Sequence, residues 1–236
     1  MSCLSKPITM SIKDNILFFD ERLKNTPCRL VAVSKTHAPD KIMEAYEAGH
    51  RLFGENKVQE LIEKYPVLPH DISWHLIGHL QTNKVKYIAE FIDTIQSVDS
   101  LKLLQEINKR AEMHNRTLPI NCMLQISIAD EETKYGMDYE EAVAFLQSEE
   151  YRAMKYIRIT GVMGIATNTD DQDKLRGEFR YLRDCFQKLK ETFFFANQDF
   201  SELSMGMTSD WELALEEGST LLRVGSGIFG TRTYQK

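Results

Sequence analysis

The sequence predicts an α/β protein, a single (β/α)8 barrel over residues 1–236 with an extra helix before the first strand. Strand-like and helix-like segments alternate along all 236 residues, and no low-complexity linker divides them. The count of about eight strand-helix units favours a closed barrel over the alternative, an open doubly wound sheet. In both folds, functional residues are expected at the carboxyl ends of the strands.

Short runs rich in β-branched and aromatic residues predict the strands, because such side chains pack well on a pleated surface. Turn-forming residues separate most of these runs from the helical patterns that follow. The predicted strands are Leu30–Ser34, Arg51–Phe53, Trp74–Ile77, Thr94–Val98, Asn121–Ser127, Ile157–Met163, Glu202–Ser204 and Leu221–Val224.

Amphipathic patterns between the strands predict the helices. Ser100 and Asp138 are expected N-caps, and Gly49 and Gly218 are expected helix stops. The predicted helices are Ile12–Lys24, Asp40–Ala48, Lys57–Tyr65, Asn83–Phe91, Ser100–His114, Tyr139–Gln147, Asp173–Phe195 and Ser209–Glu217.

Composition excludes several classes of function. The formal net charge of −6 argues against nucleic-acid binding. No apolar run approaches the roughly 20 residues that span a bilayer, and the N-terminus does not resemble a secretory signal. The four cysteines lie far apart, without metal-ligand spacing, which indicates reduced thiols in the cytoplasm and no metal site.

Lys35 is the most informative single residue, since it follows the first predicted strand. A lysine that is partly desolvated among apolar neighbours has a lowered pKa, and its neutral amine can attack an aldehyde. On this segment alone, an ordinary surface lysine is the more common interpretation. The rest of the chain therefore has to decide between the two.

The last strand leads into a glycine-rich segment, Gly225–Gly227. Glycines let backbone N–H groups approach a phosphate closely, and barrels often bind phosphate after strands seven and eight. Ser204 and Thr208 would add hydroxyl donors, and the alternative for the glycines is a plain turn. Arg223 fits either a salt bridge to a neighbouring acid or a planar ligand in the cavity.

An aldehyde-reactive lysine beside a phosphate site suggests pyridoxal 5′-phosphate (PLP), bound as a Schiff base. A phosphosugar aldolase or isomerase would use similar parts, but it also needs an acid or base. Glu55 and His79 are the obvious candidates for that group. Glu55 has an alternative role as a cap for the helix that begins near Asn56.

Five long motifs follow one another in order along the chain. They are Ala32–Thr36 (AVSKT), Phe53–Glu60 (FGENKVQE), Trp74–Lys84 (WHLIGHLQTNK), Leu203–Asp210 (LSMGMTSD) and Arg223–Gly230 (RVGSGIFG). In these motifs the chain resembles the pyridoxal phosphate homeostasis protein family, from about Leu30 to the C-terminus. That family looks like the barrel domain of alanine racemase without its additional β-domain.

The resemblance implies a PLP site with Lys35 as the Schiff-base lysine and Arg223 facing the pyridine nitrogen. A guanidinium donates but does not accept, so it keeps that nitrogen unprotonated and the ring a poorer electron sink. The residues implied for the phosphate are Ser204, Thr208, Gly225 and Ser226. Those implied for the rest of the pocket are Asn56, His79, Met163, Met205 and Gly206.

Three positions depart from the family pattern. In one of them, Val162 stands where a Gly-Leu-Met motif has leucine, a change that should matter little. Thr208 stands where serine is usual, which keeps the hydroxyl and adds a methyl group. Gly227 stands where a larger residue is frequent, so the phosphate loop is expected to be looser.

The implied role is control of intracellular PLP, and of vitamin B6 and amino-acid balance, without catalytic turnover. PLP-dependent apoenzymes are implied as partners that receive the cofactor. A racemase needs a second base, which alanine racemase takes from a partner's second domain; the chain ends at Lys236, and Tyr234 lies in its tail. The alternatives are a racemase of low activity and a Schiff-base aldolase without cofactor. A monomer is expected, since no second domain forms a dimer.

Overall fold

The chain forms a closed barrel of eight parallel strands, as predicted. The computed structural model describes residues 11–129 and 136–230. Each strand pairs with the next one along the chain, and the last pairs with the first. The strands are β1 (Arg29–Val33), β2 (Leu52–Glu55), β3 (Ser73–Leu76), β4 (Thr94–Val98), β5 (Ile120–Gln125), β6 (Ile157–Met163), β7 (Glu202–Ser204) and β8 (Leu221–Val224).

Helices surround the barrel. They are α1 (Ile12–Leu23), α2 (Pro39–Glu47), α3 (Val58–Lys64), α4 (Leu101–Met113), α5 (Tyr139–Gln147), α6 (Glu149–Arg152), α7 (Gln172–Phe193), α8 (Trp211–Glu216) and α9 (Ser226–Phe229), with 3₁₀ turns at Tyr65–Val67 and Thr82–Tyr87. The extra N-terminal helix α1 packs against α2 and α9, and the Asn15 side-chain amide donates to the Ile228 carbonyl at 2.7 Å.

The sequence signals for helix ends are confirmed. Ser100 caps α4 by accepting from the Leu103 N–H, and Asp138 caps α5 by accepting from the Glu141 N–H. Gly49 and Gly218 have φ values of +100° and +96°, in the left-handed region that glycine adopts without strain.

The main difference from the prediction lies after β3. The expected α-helix Asn83–Phe91 is replaced by the 3₁₀ segment Thr82–Tyr87. Threonine, asparagine, valine and tyrosine are weak helix formers, so local propensity did not favour a regular α-helix here. The short helices α6 and α9 were also not predicted as separate elements.

Strand alternation divides the buried residues into two layers. Most of the apolar core lies between the strands and the helices. A smaller, separate cluster of Val31, Met123, Met163 and Leu221 comes from four different strands, which identifies it as the barrel interior. The rest of that interior contains buried polar side chains, among them His75, Gln96, Ser204 and Arg223.

Two findings concern other kinds of site. No helix among the described residues is long and apolar enough to cross a membrane. The same residues contain no group of three or more side chains arranged to bind a metal ion.

Candidate functional site

Lys35 and the glycine-rich loop lie at the carboxyl ends of adjacent strands. Lys35 occupies the turn directly after β1 and is half-buried. Arg223, in β8, pairs with Val31 of β1, and a Cβ atom on Gly225 would lie 3.4 Å from the Val33 carbonyl. Closure of the barrel between β8 and β1 therefore brings together the predicted amine, the predicted phosphate loop and the arginine.

A buried ion pair lies behind the strand ends that carry Lys35. The Lys64 ammonium, from α3, is 2.7 Å from Glu55 Oε1 and also donates to the Ser34 carbonyl at 3.0 Å. The Ser34 hydroxyl donates to the same Glu55 oxygen at 2.6 Å. Burial raises the pKa of Glu55, and the Lys64 charge and these hydrogen bonds oppose that rise. The Glu55 carboxylate and the Lys64 ammonium thus both bond to Ser34, the residue just before Lys35.

The ion pair corrects the proposed capping role of Glu55. The N-cap position of α3 is Lys57, and no side chain caps that helix end. Glu55 instead points toward α3, on the outer side of the barrel, because that is where its partner Lys64 lies. It is therefore not placed as an acid or base on the Lys35 side of the strands.

Glu60 holds the residue just after Lys35. Its carboxylate accepts from the Thr36 N–H at 2.6 Å and from the Lys64 ammonium at 3.1 Å. Burial alone would raise the pKa of Glu60, but these bonds lower it overall. Thr36 has a φ of +68°, uncommon for a β-branched residue and strained by roughly 1–3 kcal/mol. The charged cluster therefore fixes the turn on both sides of Lys35.

Arg223 is buried inside the barrel and forms no ion pair with a carboxylate among the described residues. Its Nη1 donates to the Ser204 hydroxyl at 2.6 Å and its Nη2 to the Gly164 carbonyl at 2.8 Å. Burial lowers the pKa of Arg223 to about 10, and the charge of Asp210 opposes this in part. A guanidinium has five donors, so these bonds leave donors for a ligand. Of the two interpretations of Arg223, the described residues do not show the salt bridge, and contact with a ligand stays a prediction.

Ser204 supports the arginine in this arrangement. Its hydroxyl accepts from Arg223 and donates to Gln96 Oε1 at 2.6 Å. A hydroxyl has only one proton, so Ser204 cannot donate to a phosphate while it keeps its bond to Gln96. The side chain lies in the barrel interior and is completely buried.

Met205 and Gly206 follow Ser204, and their positions suggest backbone roles. The Met205 side chain is buried in the outer apolar core, away from the barrel interior. Gly206 has a φ of +91°, and a Cβ atom there would lie 2.4 Å from the Ala214 Cβ, so only glycine fits. The Gly206 carbonyl accepts from the Arg223 N–H at 3.0 Å.

Thr208 lies against the glycine-rich loop. Its hydroxyl oxygen accepts from the N–H groups of Gly225 and Gly227, both at 3.3 Å. These are long bonds, so the amides are available to a stronger acceptor such as a phosphate oxygen. Ser226 is exposed at the first position of α9, where backbone N–H groups have no partner within the helix.

Two of the departures from the family pattern, Thr208 and Gly227, meet in space. A Cβ atom on Gly227 would lie 3.2 Å from the Thr208 methyl carbon and 2.7 Å from Val224 Cγ1. The extra methyl group of Thr208 thus occupies room that a larger residue at 227 would need. The methyl group of Thr208 therefore compensates for the small residue at 227, so the phosphate loop is not as loose here as the sequence alone suggests.

Asn56 and His79 lie together on another part of the rim. Both line a cavity of about 470 Å³, and His79 Nδ1 is 3.1 Å from Asp99 Oδ2. Met163 ends β6 and is fully buried in the inner cluster, below the rim. The other residues that line the cavity are Lys57, Val58, Gln59, Ile62, Gln81, Lys84 and Tyr87.

Sequence reasoning missed Gln96 and Glu60. Glu60 lies within a quoted motif, but nothing in the sequence connects it to the Thr36 amide. Gln96 carried a usable signal, because it is a polar residue in the middle of a predicted strand, where an aliphatic side chain is more usual.

Comparisons with known proteins agree with the barrel fold. The family model for the alanine racemase N-terminal domain matches residues 9–233. A pyridoxal phosphate homeostasis protein of Haemophilus influenzae is 37% identical over 218 residues, covering 91% of this chain and 89% of the relative. One from Schizosaccharomyces pombe is 38% identical over 210 residues, covering 88% and 85%.

Solved structures give the same grouping. PipY of Synechococcus elongatus, in a structure with PLP bound, has a TM-score of 0.82 and 35% identity, covering 93% of this chain and 100% of that one. Alanine racemase from Bartonella henselae has a TM-score of 0.66 at 14% identity, covering 94% of this chain and 60% of that one. The latter similarity concerns the fold alone.

Proposed function

The chain belongs to the pyridoxal phosphate homeostasis proteins, within the alanine racemase N-terminal domain family, and we propose that it binds PLP as a Schiff base on Lys35. The observation that carries the proposal is the closure of β8 onto β1, which places Lys35, Arg223 and the loop at Gly225 side by side. An amine, a buried cation and a set of backbone donors are the groups that fit an aldehyde, a pyridine nitrogen and a phosphate.

Each residue has a separate task in this proposal. Lys35 would supply the amine that condenses with the PLP aldehyde and releases water, while Thr208 and the N–H groups of Gly225 and Ser226 would hold the phosphate. Arg223 donates to the pyridine nitrogen, because a guanidinium has no acceptor and stays protonated at neutral pH. We assign Asn56, His79 and Met163 to the ring pocket and Met205 and Gly206 to backbone contacts, and we place Ser204 beside Arg223, to which it bonds.

PLP, when bound, supplies an electron-withdrawing ring and a reactive aldehyde. Arg223 restrains the first of these properties by keeping the ring nitrogen unprotonated. The proposed role is therefore to hold PLP and to control its intracellular level, and with it vitamin B6 and amino-acid balance, in the cytoplasm. Apoenzymes that need PLP are the proposed recipients, and the protein acts as a monomer without clear turnover.

A racemase of low activity is the second candidate function. The match to the alanine racemase N-terminal domain over residues 9–233 favours it. It would require a second proton-transferring group on the opposite face of the bound amino acid. Steady racemisation of an amino acid by the PLP-loaded protein would support this alternative over the role of holder.

The proposal is tested by loading and release. Titration of the purified protein with PLP should give a visible imine absorbance that saturates at one equivalent. The loaded protein is then mixed with a PLP-dependent apoenzyme in the presence of a trap for free PLP. Activation of the apoenzyme despite the trap would support direct transfer, and activation only without the trap would support a buffering role. Absence of an imine band would overturn PLP binding.

A further inference from the structure

A row of five polar side chains crosses the barrel interior from Arg223 to Asp93. Arg223 contacts Ser204 at 2.6 Å, and Ser204 contacts Gln96 Oε1 at 2.6 Å. The Gln96 side-chain nitrogen is 2.8 Å from His75 Nδ1, and His75 Nε2 is 3.4 Å from Asp93 Oδ2. We call these five residues the interior polar row. It starts at the proposed PLP site and ends at the opposite mouth of the barrel.

The direction of every bond in the row follows from Arg223 and from the orientation of the Gln96 amide. Arg223 can only donate, so Ser204 accepts from it, and because Gln96 presents its oxygen to Ser204, the hydroxyl proton goes to that oxygen. The Gln96 amide nitrogen then donates to His75 Nδ1, which must be unprotonated. His75 consequently carries its proton on Nε2, toward Asp93. The order of donors leaves a single arrangement of protons.

Asp93 gives the row an ionised end. The Thr94 and Ser73 hydroxyls donate to its Oδ2 at 2.8 and 3.0 Å. Burial alone would raise the pKa of Asp93, but bonds from His75, Thr94 and Ser73 lower it to about 2. His75 and Asp93 line a polar cavity of about 300 Å³ at that mouth. The carboxylate is therefore charged at neutral pH and holds the far end of the row.

The row differs from what usually fills a barrel. Layers of branched aliphatic side chains are typical there, because they pack without unpaired polar atoms. The interior apolar cluster here is small, and Gln96 and Ser204 are both completely buried. Buried polar groups cost free energy unless they are hydrogen-bonded. Because the side chains of the row are bonded to one another, the row favours one orientation of each of them.

We propose that Gln96 and Ser204 are positioning residues that fix the direction of the Arg223 guanidinium toward the pyridine nitrogen of PLP. This inference rests on the proposed function, since PLP is the ligand that Arg223 faces in it. Neither residue is required to touch PLP. Gln96 acts through Ser204, and His75 with Asp93 holds the orientation of the Gln96 amide.

The first test uses the protein without PLP. ¹⁵N NMR of the imidazole nitrogens reports which one of His75 carries the proton. The row requires a proton on Nε2 and none on Nδ1 in wild type. A proton on Nδ1 would overturn the row whether or not the protein binds PLP.

The second test uses Gln96→Met, Ser204→Ala and the double variant, loaded with PLP. Each single variant should shift the absorbance maximum of the imine in the same direction and weaken PLP binding roughly five- to tenfold, the loss of about one hydrogen bond. The double variant should be no worse than the more affected single variant, because both changes break the same row. Additive losses, or an unchanged spectrum, would overturn the proposal.

Ser219→Ala is the matched control for Ser204→Ala. Ser219 is equally buried, and its hydroxyl bonds to main-chain carbonyls, including that of Met205 at 2.8 Å. The Ser219→Ala variant should be less stable than wild type, but its imine absorbance maximum should not shift. A shift as large as that of Ser204→Ala would contradict the positioning role. Thermal unfolding of all variants shows how much of each change in PLP binding comes from a loss of protein stability.

Pyridoxal, which lacks the phosphate, separates positioning from phosphate contact. A positioning role predicts that Ser204→Ala and Gln96→Met weaken pyridoxal and PLP by the same factor. A larger loss for PLP in Ser204→Ala would assign Ser204 to the phosphate and overturn the proposal. Failure of wild type to bind either aldehyde would instead refute the proposed function, while the His75 measurement would still decide whether the row exists.

Discussion

The two sides of the proposed site are supported in opposite ways. On the β1 side, the charged groups Glu55, Glu60 and Lys64 bond from outside the barrel to the residues on either side of Lys35. On the β8 side, Arg223 is held from inside by neutral groups, the Ser204 hydroxyl and the Gly164 carbonyl. Among the described residues, ion pairs thus lie behind the turn that carries Lys35, and none involves Arg223.

The difference follows from what each residue has to do. The turn at Lys35 needs rigidity. The ion pairs of Lys64 with Glu55 and Glu60, behind the strands, supply that rigidity. Arg223 needs its charge to remain available, and a carboxylate contact would have neutralised it. Neutral hydrogen-bond partners fix a guanidinium without cancelling its field.

The largest expected effect comes from breaking the charged side. Lys64→Met leaves the Glu55 carboxylate buried without its cation and should lower the free energy of unfolding by roughly 3–5 kcal/mol. Combining it with Glu55→Gln should recover much of that loss, because the completely buried carboxylate is then replaced by a neutral amide, while the less buried Glu60 keeps its bond from the Thr36 N–H. Urea unfolding measures both variants.

Lys41→Met provides the matched surface control, since Lys41 pairs with Glu44 on an exposed face. The Lys41→Met substitution should lower the free energy of unfolding by at most about 1 kcal/mol. Equal losses for Lys41→Met and Lys64→Met would mean that the buried cluster has no special role.

Reversing the charge on the other side should change reactivity. Arg223→Glu would place a carboxylate against the ring nitrogen and favour its protonation, which makes the ring a better electron sink. Exchange of the α-proton of an added amino acid in deuterated water should rise roughly tenfold or more, since each pKa unit at the nitrogen is tenfold in protonation.

Arg223→Gln is the control, because it removes the cation without adding a carboxylate. PLP occupancy is measured first in both variants. If fully loaded Arg223→Glu exchanges no faster than wild type, the arginine is not what restrains catalysis, and the supply of a second proton-transferring group becomes the next property to test.

Much of this arrangement could be predicted from sequence, and the reasons for the rest are physical. The alternation of strand-like and helix-like segments predicted the barrel. The rule that functional residues lie at the carboxyl ends of the strands predicted the places of Lys35 and of the loop at Gly225. The bond between Ser204 and Gln96 joins β7 and β4, which are not neighbours in the sheet. Contacts across a barrel interior depend on how the strands tilt and close, which a one-dimensional pattern does not contain.

A smaller effect is expected at the phosphate loop. Thr208→Val keeps the shape of the side chain but removes the hydroxyl, which should cost one charge-assisted hydrogen bond, roughly 1.5–3 kcal/mol. Affinity for PLP should therefore fall about tenfold or more, while affinity for pyridoxal stays the same. An equal fall for both ligands in a titration would show that Thr208 does not contact the phosphate.

The smallest effect concerns the contact between Thr208 and Gly227. Gly227→Ala should destabilise the protein by roughly 1–3 kcal/mol, because the new methyl group meets Thr208 and Val224. Adding Thr208→Ser should recover part of this loss by making room. Thermal unfolding of the single and double variants tests this, and strict additivity would show that the two positions do not compensate each other.

The central claim, that Lys35 carries PLP, is tested most directly by trapping. Borohydride reduction of the PLP-loaded protein fixes the imine, and peptide mass mapping then identifies the modified lysine. We expect the label on the peptide that contains Lys35, and none after the same treatment of Lys35→Ala, which should remain folded. A label on Lys57 or Lys84, or an unchanged label in Lys35→Ala, would contradict the account.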